Sequence, residues 1–300
     1  MWDQLLQRIH KGDTKALART ISFVENEQPG YEELMSQLPS NHNTKIIGIT
    51  GPPGAGKSTV VDGLIGEFIH NGKRVAVLCV DPSSPFNLGA VLGDRIRMNQ
   101  WYTHPDVFIR SLASRGSMGG LHPKIIELTE LVKAADYDYI ILETVGVGQS
   151  EIEIAGLADL TVVVLVPESG DEIQTMKAGL MEIADVFVVN KTDRPDSDVF
   201  VKNLRMMLAP TFSVHKNEVP IIKVIASEAF GIDQLYYAIL NGQSAQIINE
   251  KKIWLLTDKV CLLVQKQRMK NIDKQLIKEK VTAAIQSNHF NLYQLARQFQ

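Results

Sequence analysis

Apolar and polar positions change rhythm twice along the chain. Over residues 2–38, Leu5, Leu6, Ile9, Leu17, Ile21 and Val24 recur at spacings of three and four, the signature of one helical face. Gly12-Asp13 separates two short helices in this reading, and Pro39-Ser40-Asn41 ends the unit. From residue 43 the period shortens. KIIGIT, VAVLCV, VFIRSL, YDYIILET, LTVVVLV, DVFVVN and PIIKVI are short runs rich in β-branched residues, and most are continuously apolar. That pattern is expected of parallel strands covered on both faces. VFIRSL is the weakest of them. Helical stretches are predicted between them at 57–70, 123–135, 150–157 and 171–184. Strands alternating with helices predict an α/β fold, a doubly wound and mostly parallel sheet with N-terminal and C-terminal helical extensions.

Beyond Gly242 the character changes again. IWLLTDKVCLLVQKQRMKNIDKQLIKEKVTAAI reads as amphipathic helix with much charge and little turn chemistry. Leu255, Val260, Leu263, Val264, Val281 and Ile285 form its apolar face, which serves either a dimer contact or packing on its own domain. The organisation predicted is an extension over 1–42, a nucleotide domain over 43–241 and a helical segment over 242–300.

Composition narrows the function. A chain of 300 residues with 45% apolar content fills a large core, and a net charge of −3 implies no basic face for nucleic acid. Cys79 and Cys261 sit in no C-x-x-C and near no histidine pair, so neither a disulfide framework nor a zinc site is expected. The start, MWDQLLQRIHKGD, lacks a signal-peptide pattern, and the apolar runs are strand-length, too short to span a membrane. A cytoplasmic protein is the expectation.

The strongest chemical signal is Gly51-Pro52-Pro53-Gly54-Ala55-Gly56-Lys57-Ser58, which matches G-x-x-x-x-G-K-[ST] between a strand and a helix. Its glycines let backbone N–H groups turn toward phosphates, and the helix N-terminus adds positive potential. Lys57 is expected at the β- and γ-phosphates, Ser58 on Mg²⁺, and Thr59 beside the α-phosphate. Asn190-Lys191-Thr192-Asp193 follows the strand DVFVV and predicts guanine. A carboxylate at Asp193 can accept from guanine N1–H and N2–H₂, whereas adenine leaves it unpaired. Asn190 braces that loop and the Lys191 stem lies over the base. Ala226 and Ser227, after PIIKVI, are further candidates, through backbone only.

Three acids complete the candidate set. Asp81 ends VAVLCV, Asp94 lies in LGDRIRM, and Glu143 ends YDYIIL and opens ETVGVGQ. Strand ends of an open α/β sheet are where ligands bind. With Ser58 on the metal, Asp81, Asp94 and Glu143 are assigned to its waters, and one of them to the attacking water, with a plain helix pairing to Arg95 or Arg97 as the alternative for Asp94. Glu143-Thr-Val-Gly146 has the spacing of the D-x-x-G segment, which assigns the Gly146 N–H to the γ-phosphate.

DPSSPF, LGDRIRM, RGSMGGL, ETVGVGQSE, GDEIQTMKAGLMEIADVFVVNKTD and the phosphate loop together resemble the MeaB/ArgK-type GTPases over residues 3–241. The resemblance implies a P-loop GTPase that binds GTP, GDP and Mg²⁺ and hydrolyses GTP slowly on its own. It implies a homodimer whose partner is a coenzyme-B12-dependent acyl-CoA mutase of the methylmalonyl-CoA type. There it gates adenosylcobalamin loading and protects the mutase. An older label in the family, a kinase for lysine/arginine/ornithine transport, and a metal-insertion GTPase are the alternatives. By the same resemblance, DPSSPF through Met98 is the first switch, ETVGVGQSE the second, and residues 170–179 the segment that signals the mutase. Two departures stand out. Asn87-Leu88-Gly89 replaces a hydroxyl-bearing step after DPSSP, and Glu168-Ser169-Gly170 replaces a glycine-rich step before GDE. Arg115 of RGSMGG is assigned to the γ-phosphate, to a partner or to solvent, and Lys177 to nucleotide, dimer mate, mutase or solvent.

Overall fold

The computed structural model describes residues 1–39, 43–81, 98–114, 121–146, 152–169, 179–212, 219–242, 250–287 and 290–299. Its centre is a seven-stranded sheet with every pairing parallel. In chain order the strands are β1 (Lys45–Thr50), β2 (Val75–Asp81), β3 (Val107–Ala113), β4 (Tyr139–Glu143), β5 (Leu160–Leu165), β6 (Val186–Val189) and β7 (Ile221–Lys223). They lie side by side as β3-β2-β4-β1-β5-β6-β7. Burial explains the continuous apolar runs: β2, β4, β5 and β6 are buried at every position. Helices cover both faces, as parallel crossovers require.

The VFIRSL run forms the edge strand β3, in register with β2 from Val75↔Val107 to Asp81↔Ala113. Its polar residues make it faint in sequence, and Arg110 is satisfied from outside the sheet. The Arg110 guanidinium reaches Glu25 Oε2 at 2.5 Å and Ser22 Oγ at 3.0 Å. Both belong to α2 of the N-terminal helices, α1 (Trp2–His10), α2 (Thr14–Glu25) and α3 (Tyr31–Ser36). The break at Gly12-Asp13 is as expected, with the Asp13 carboxylate capping α2 through Lys15 N and Ala16 N. A second break comes at Pro29-Gly30, where Gly30 has φ 90° and a Cβ would meet the Trp2 indole at 2.4 Å. Lys124 ties this unit to the sheet through Glu27 (2.8 Å) and the Tyr31 hydroxyl (2.9 Å). Burial works against its charge, but those two bonds and the Glu127 field outweigh it and hold the ammonium well above the ordinary lysine range.

Helix α4 (Lys57–His70) matches its predicted range. The others around the sheet, among the described residues, are α5 (Ile125–Lys133), α6 (Ile152–Leu157), α7 (Gly179–Ile183), α8 (Ser197–Phe212) and α9 (Ile232–Gly242). Val60, Val61, Leu64, Ile65 and Phe68 of α4 join Ile47, Ile49, Val77, Ile141, Val162 and Val188 of the strands in one core, closed by Leu235 and Ile239 of α9.

The chain divides into two compact units, Met1–Lys252 and Ile253–Gln300. The second contains most of α10 (Glu250–Arg268), with α11 (Lys274–Gln286) and α12 (Leu292–Arg297). The long amphipathic run is therefore two helices. A short 3-10 turn at Met269–Asn271 breaks it, and Asp273 caps α11 by accepting from Gln275 N at 2.8 Å. On the expected apolar face Leu255 and Val281 are half-buried, and Val260, Leu263, Val264 and Ile285 are exposed. No helix among the described residues is long and apolar enough to cross a membrane.

Candidate nucleotide site

The site residues that the structure describes gather at the carboxyl ends of the strands, where a parallel sheet offers a crevice to ligands. The loop from Gly51 to Gly56 joins β1 to α4. Gly51 (φ 138°) lies against β5, where an added Cβ would stand 2.0 Å from the Val164 carbonyl oxygen. Gly56 (φ 87°) caps α4, and a Cβ there would meet the Asn190 amide at 2.4 Å. These two positions demand glycine by space as well as by torsion. Pro52, Pro53, Gly54 and Ala55 complete the turn, with Ala55 fully buried. The Lys57 ammonium donates to the carbonyls of Gly51 (2.9 Å) and Pro52 (3.1 Å), so it lies inside the curve of its own loop. Thr59 N donates to the Gly56 carbonyl, which makes it part of the first helical turn.

Glu143 meets the start of α4 from the end of β4, and Asp81 stands at the end of the neighbouring β2. The Ser58 hydroxyl donates to Glu143 Oε1 at 2.7 Å. Both side chains are buried, as is Asp81 at the end of β2. The chain leaving Glu143 then crosses under the phosphate loop. Gly146 (φ 85°) comes so near that a Cβ would lie 2.4 Å from Lys57 Nζ and 2.5 Å from the Gly51 carbonyl oxygen. Thr144 closes the gap with a buried hydroxyl contact to Thr50 at 2.9 Å. That threonine pair belongs to no motif of the sequence. Its signal is a hydroxyl residue at the end of each of two strands, Thr50 before the glycines and Thr144 after Glu143.

The base end is built differently. Buried Asn190 spans two loops, its Nδ2 donating to the Ala55 carbonyl (2.9 Å) and its Oδ1 accepting from Ala226 N (3.1 Å). The Ala226 N–H therefore holds the Asn190 amide. Lys191, with φ 59°, donates to the Gly54 carbonyl at 2.8 Å. Thr192 N is tied to the Val224 carbonyl at 3.3 Å. Asp193 and Ser227 are both exposed. One further pair escaped sequence reading, an ion pair between Arg194 and Glu168 at the end of β5. Asp94, Arg115, Lys177 and residues 147–151 lie outside the described residues.

The cradle fits a nucleotide. Its glycines at 51 and 56 are fixed by contact with Val164 and Asn190, and the loop carries a lysine and leads into a helix N-terminus. The Ser58 hydroxyl and the Glu143 and Asp81 carboxylates are hard oxygen donors of the kind magnesium takes.

Comparison with known proteins agrees. The family model described as methylmalonyl Co-A mutase-associated GTPase MeaB matches residues 17–289. The chain belongs to the MeaB family. It is a GTPase and binds guanine nucleotide. A putative GTPase of Pyrococcus horikoshii is 46% identical to this MeaB-family chain over 243 residues, covering 79% of it and 76% of the relative. GTPase ArgK of Escherichia coli is 38% identical over 250 residues, 80% and 75% of the two chains. The mitochondrial methylmalonic aciduria type A homolog of Caenorhabditis elegans is 37% identical over 206 residues, 63% of this chain and 52% of that one. Among solved structures, a LAO/AO transport system kinase superposes with a TM-score of 0.69 at 27% identity, covering 99% of this chain and 96% of the other.

Proposed function

We propose that this MeaB-family GTPase is a nucleotide-driven switch and chaperone for a coenzyme-B12-dependent acyl-CoA mutase of the methylmalonyl-CoA type. In this reading it gates adenosylcobalamin loading and protects the mutase, as a homodimer in the cytoplasm. The observation that carries the reading is the family match over residues 17–289, which spans the nucleotide domain and most of the second unit. The relative named for methylmalonic aciduria supports it.

Within the site, Lys57 and the N–H groups from Gly51 to Thr59 hold the β- and γ-phosphates. Ser58 would hold Mg²⁺ directly, with Asp81, Asp94 and Glu143 on its waters; the metal would supply charge neutralisation at the phosphates. Glu143 is well placed to hold a water, since its carboxylate already meets the Ser58 hydroxyl. The Gly146 N–H senses the γ-phosphate, because its backbone already touches the Lys57 end of the loop. Asp193 reads guanine, braced by Asn190, Lys191 and the Ala226–Ser227 backbone. Hydrolysis depends on positioning and charge, with no covalent intermediate on the protein. The slow turnover proposed for the isolated protein fits a switch whose output is read by another protein.

GTP turnover measured with and without candidate B12-dependent mutases tests this. The reading expects acceleration and a nucleotide-dependent complex on gel filtration. No acceleration and no complex with any cognate mutase would refute it. The solved relative named as a transport system kinase favours one other reading, phosphorylation of a transport protein. Transfer of the γ-phosphate of ATP to a solute-binding protein would support that one instead.

A further inference from the structure

The ion pair between Arg194 and Glu168 takes no part in the hydrolysis described above. Glu168 lies in a short turn, Pro167–Ser169, directly after β5, in the step where the chain departs from a glycine-rich pattern. Arg194 directly follows Asp193. The Arg194 Nη1 donates to Glu168 Oε1, with both side chains about half exposed (44% and 50%). That bond, with the fields of Arg194 and Lys191, holds the Glu168 carboxyl below its ordinary value despite some desolvation. Two cations of the base-reading loop thus bear on one carboxylate outside it.

The ties of that loop explain why this matters. Asn190, Lys191 and Thr192 are fixed on the amino side of Asp193, to Ala55, Gly54 and Val224. On the carboxyl side the Arg194 N–H donates to the Lys191 carbonyl (3.1 Å) and Ser197 Oγ to the Thr192 carbonyl (3.0 Å), and the Arg194 side chain carries a full positive charge on a long stem. A guanidinium takes a carboxylate through two parallel hydrogen bonds, the same pairing that guanine N1–H and N2–H₂ offer. Freed from Glu168, Arg194 has the chemistry to rival guanine for the Asp193 carboxylate beside it in the chain.

We propose that Glu168 is a specificity-determining positioning residue: it engages Arg194 and keeps the Asp193 carboxylate available to the guanine base. The proposal rests on Asp193 reading guanine. The surface location fits a modest effect, since exposed pairs contribute little to folding.

The test compares GDP with IDP, which lacks the exocyclic amine, by fluorescence titration of the full-length chain. The parent and the variants E168A, R194A and E168A/R194A are each measured, with Tm as the folding control. The parent is expected to prefer GDP by about ten-fold or more, the worth of a hydrogen bond to a charged acceptor. E168A is expected to cut that ratio by about three- to five-fold, the scale of one exposed ion pair. R194A keeps the ratio, and E168A/R194A restores it, because removing the rival removes the need for its restraint. A ratio unchanged in E168A would overturn the proposal. So would an R194A loss equal to that of E168A with no recovery in the double variant, which marks a simple tether. A parent that does not distinguish GDP from IDP would instead refute the base-reading role of Asp193.

Discussion

The two ends of the nucleotide site rest on different physics. At the phosphate end Lys57, Ser58, Asp81 and Glu143 are all buried, and each lies on or beside a strand or helix of the central sheet. At the base end Asn190 is buried, while Asp193 is exposed and Arg194 and Glu168 are about half exposed. Charge in a buried, water-poor site acts strongly and needs no reorganisation. Charge in an exposed loop is screened, so it works through geometry and selection among ligands. The phosphate end should therefore set how fast the protein works, and the base end which nucleotide it takes.

The largest break in that division comes from Lys57→Ala. Removing the ammonium from the loop should lower single-turnover GTP hydrolysis by about 10²–10³-fold or more, the scale of one lost charge-stabilising donor. Glu143→Gln comes next, with an expected loss of about 10²-fold in the same assay for a group that orients water. GDP affinity, read by fluorescence titration, should change far less. A Glu143→Gln protein with parental hydrolysis would break the comparison at its buried end.

Asn190→Ala probes the join between the two ends. It strips a partner from the Ala55 carbonyl and the Ala226 N–H at once. Urea unfolding should show a loss of about 1–3 kcal/mol, the cost of orphaned buried groups. Weaker GDP binding should accompany it, with turnover at saturating GTP retained.

The smallest effect is that of pH on the base end. Because Arg194 lowers the folded-state pKa of Glu168, the pair's contribution is complete above the ordinary glutamate value. It fades only as pH falls through the lower, folded value. The GDP-to-IDP affinity ratio should thus be flat through neutral pH and shrink on acidification below the usual carboxylate range. A ratio that shrinks as pH rises would contradict the assignment.

The same contrast explains what sequence shows. Buried strands announce themselves as continuous apolar runs, and glycines forced by contact, such as Gly51 and Gly56, appear as a motif. The strand Val107–Ala113 is faint because Arg110 is satisfied by Glu25, more than eighty residues earlier in the chain. The pairing of Arg194 with Glu168 is invisible for a related reason. Nothing local to either residue signals it, and parallel topology alone brings the ends of β5 and β6 side by side. The helices Ser197–Phe212 and Ile232–Gly242 fall outside the helical stretches that the apolar pattern predicts. The role of Ile232–Gly242 in closing the core is evident only once β6 and β7 pair.

The most direct measurement is the nucleotide preference of Asp193→Asn, from kcat and KM for GTP and XTP. Xanthine presents an oxygen in place of the guanine amine, so an amide side chain pairs with it and a carboxylate does not. The account predicts that kcat/KM reverses in favour of XTP, with kcat on XTP within about ten-fold of the parental value on GTP, because the phosphate end is untouched. An Asp193→Asn protein that still prefers GTP, or that loses kcat on both nucleotides, would contradict the division of labour between the two ends.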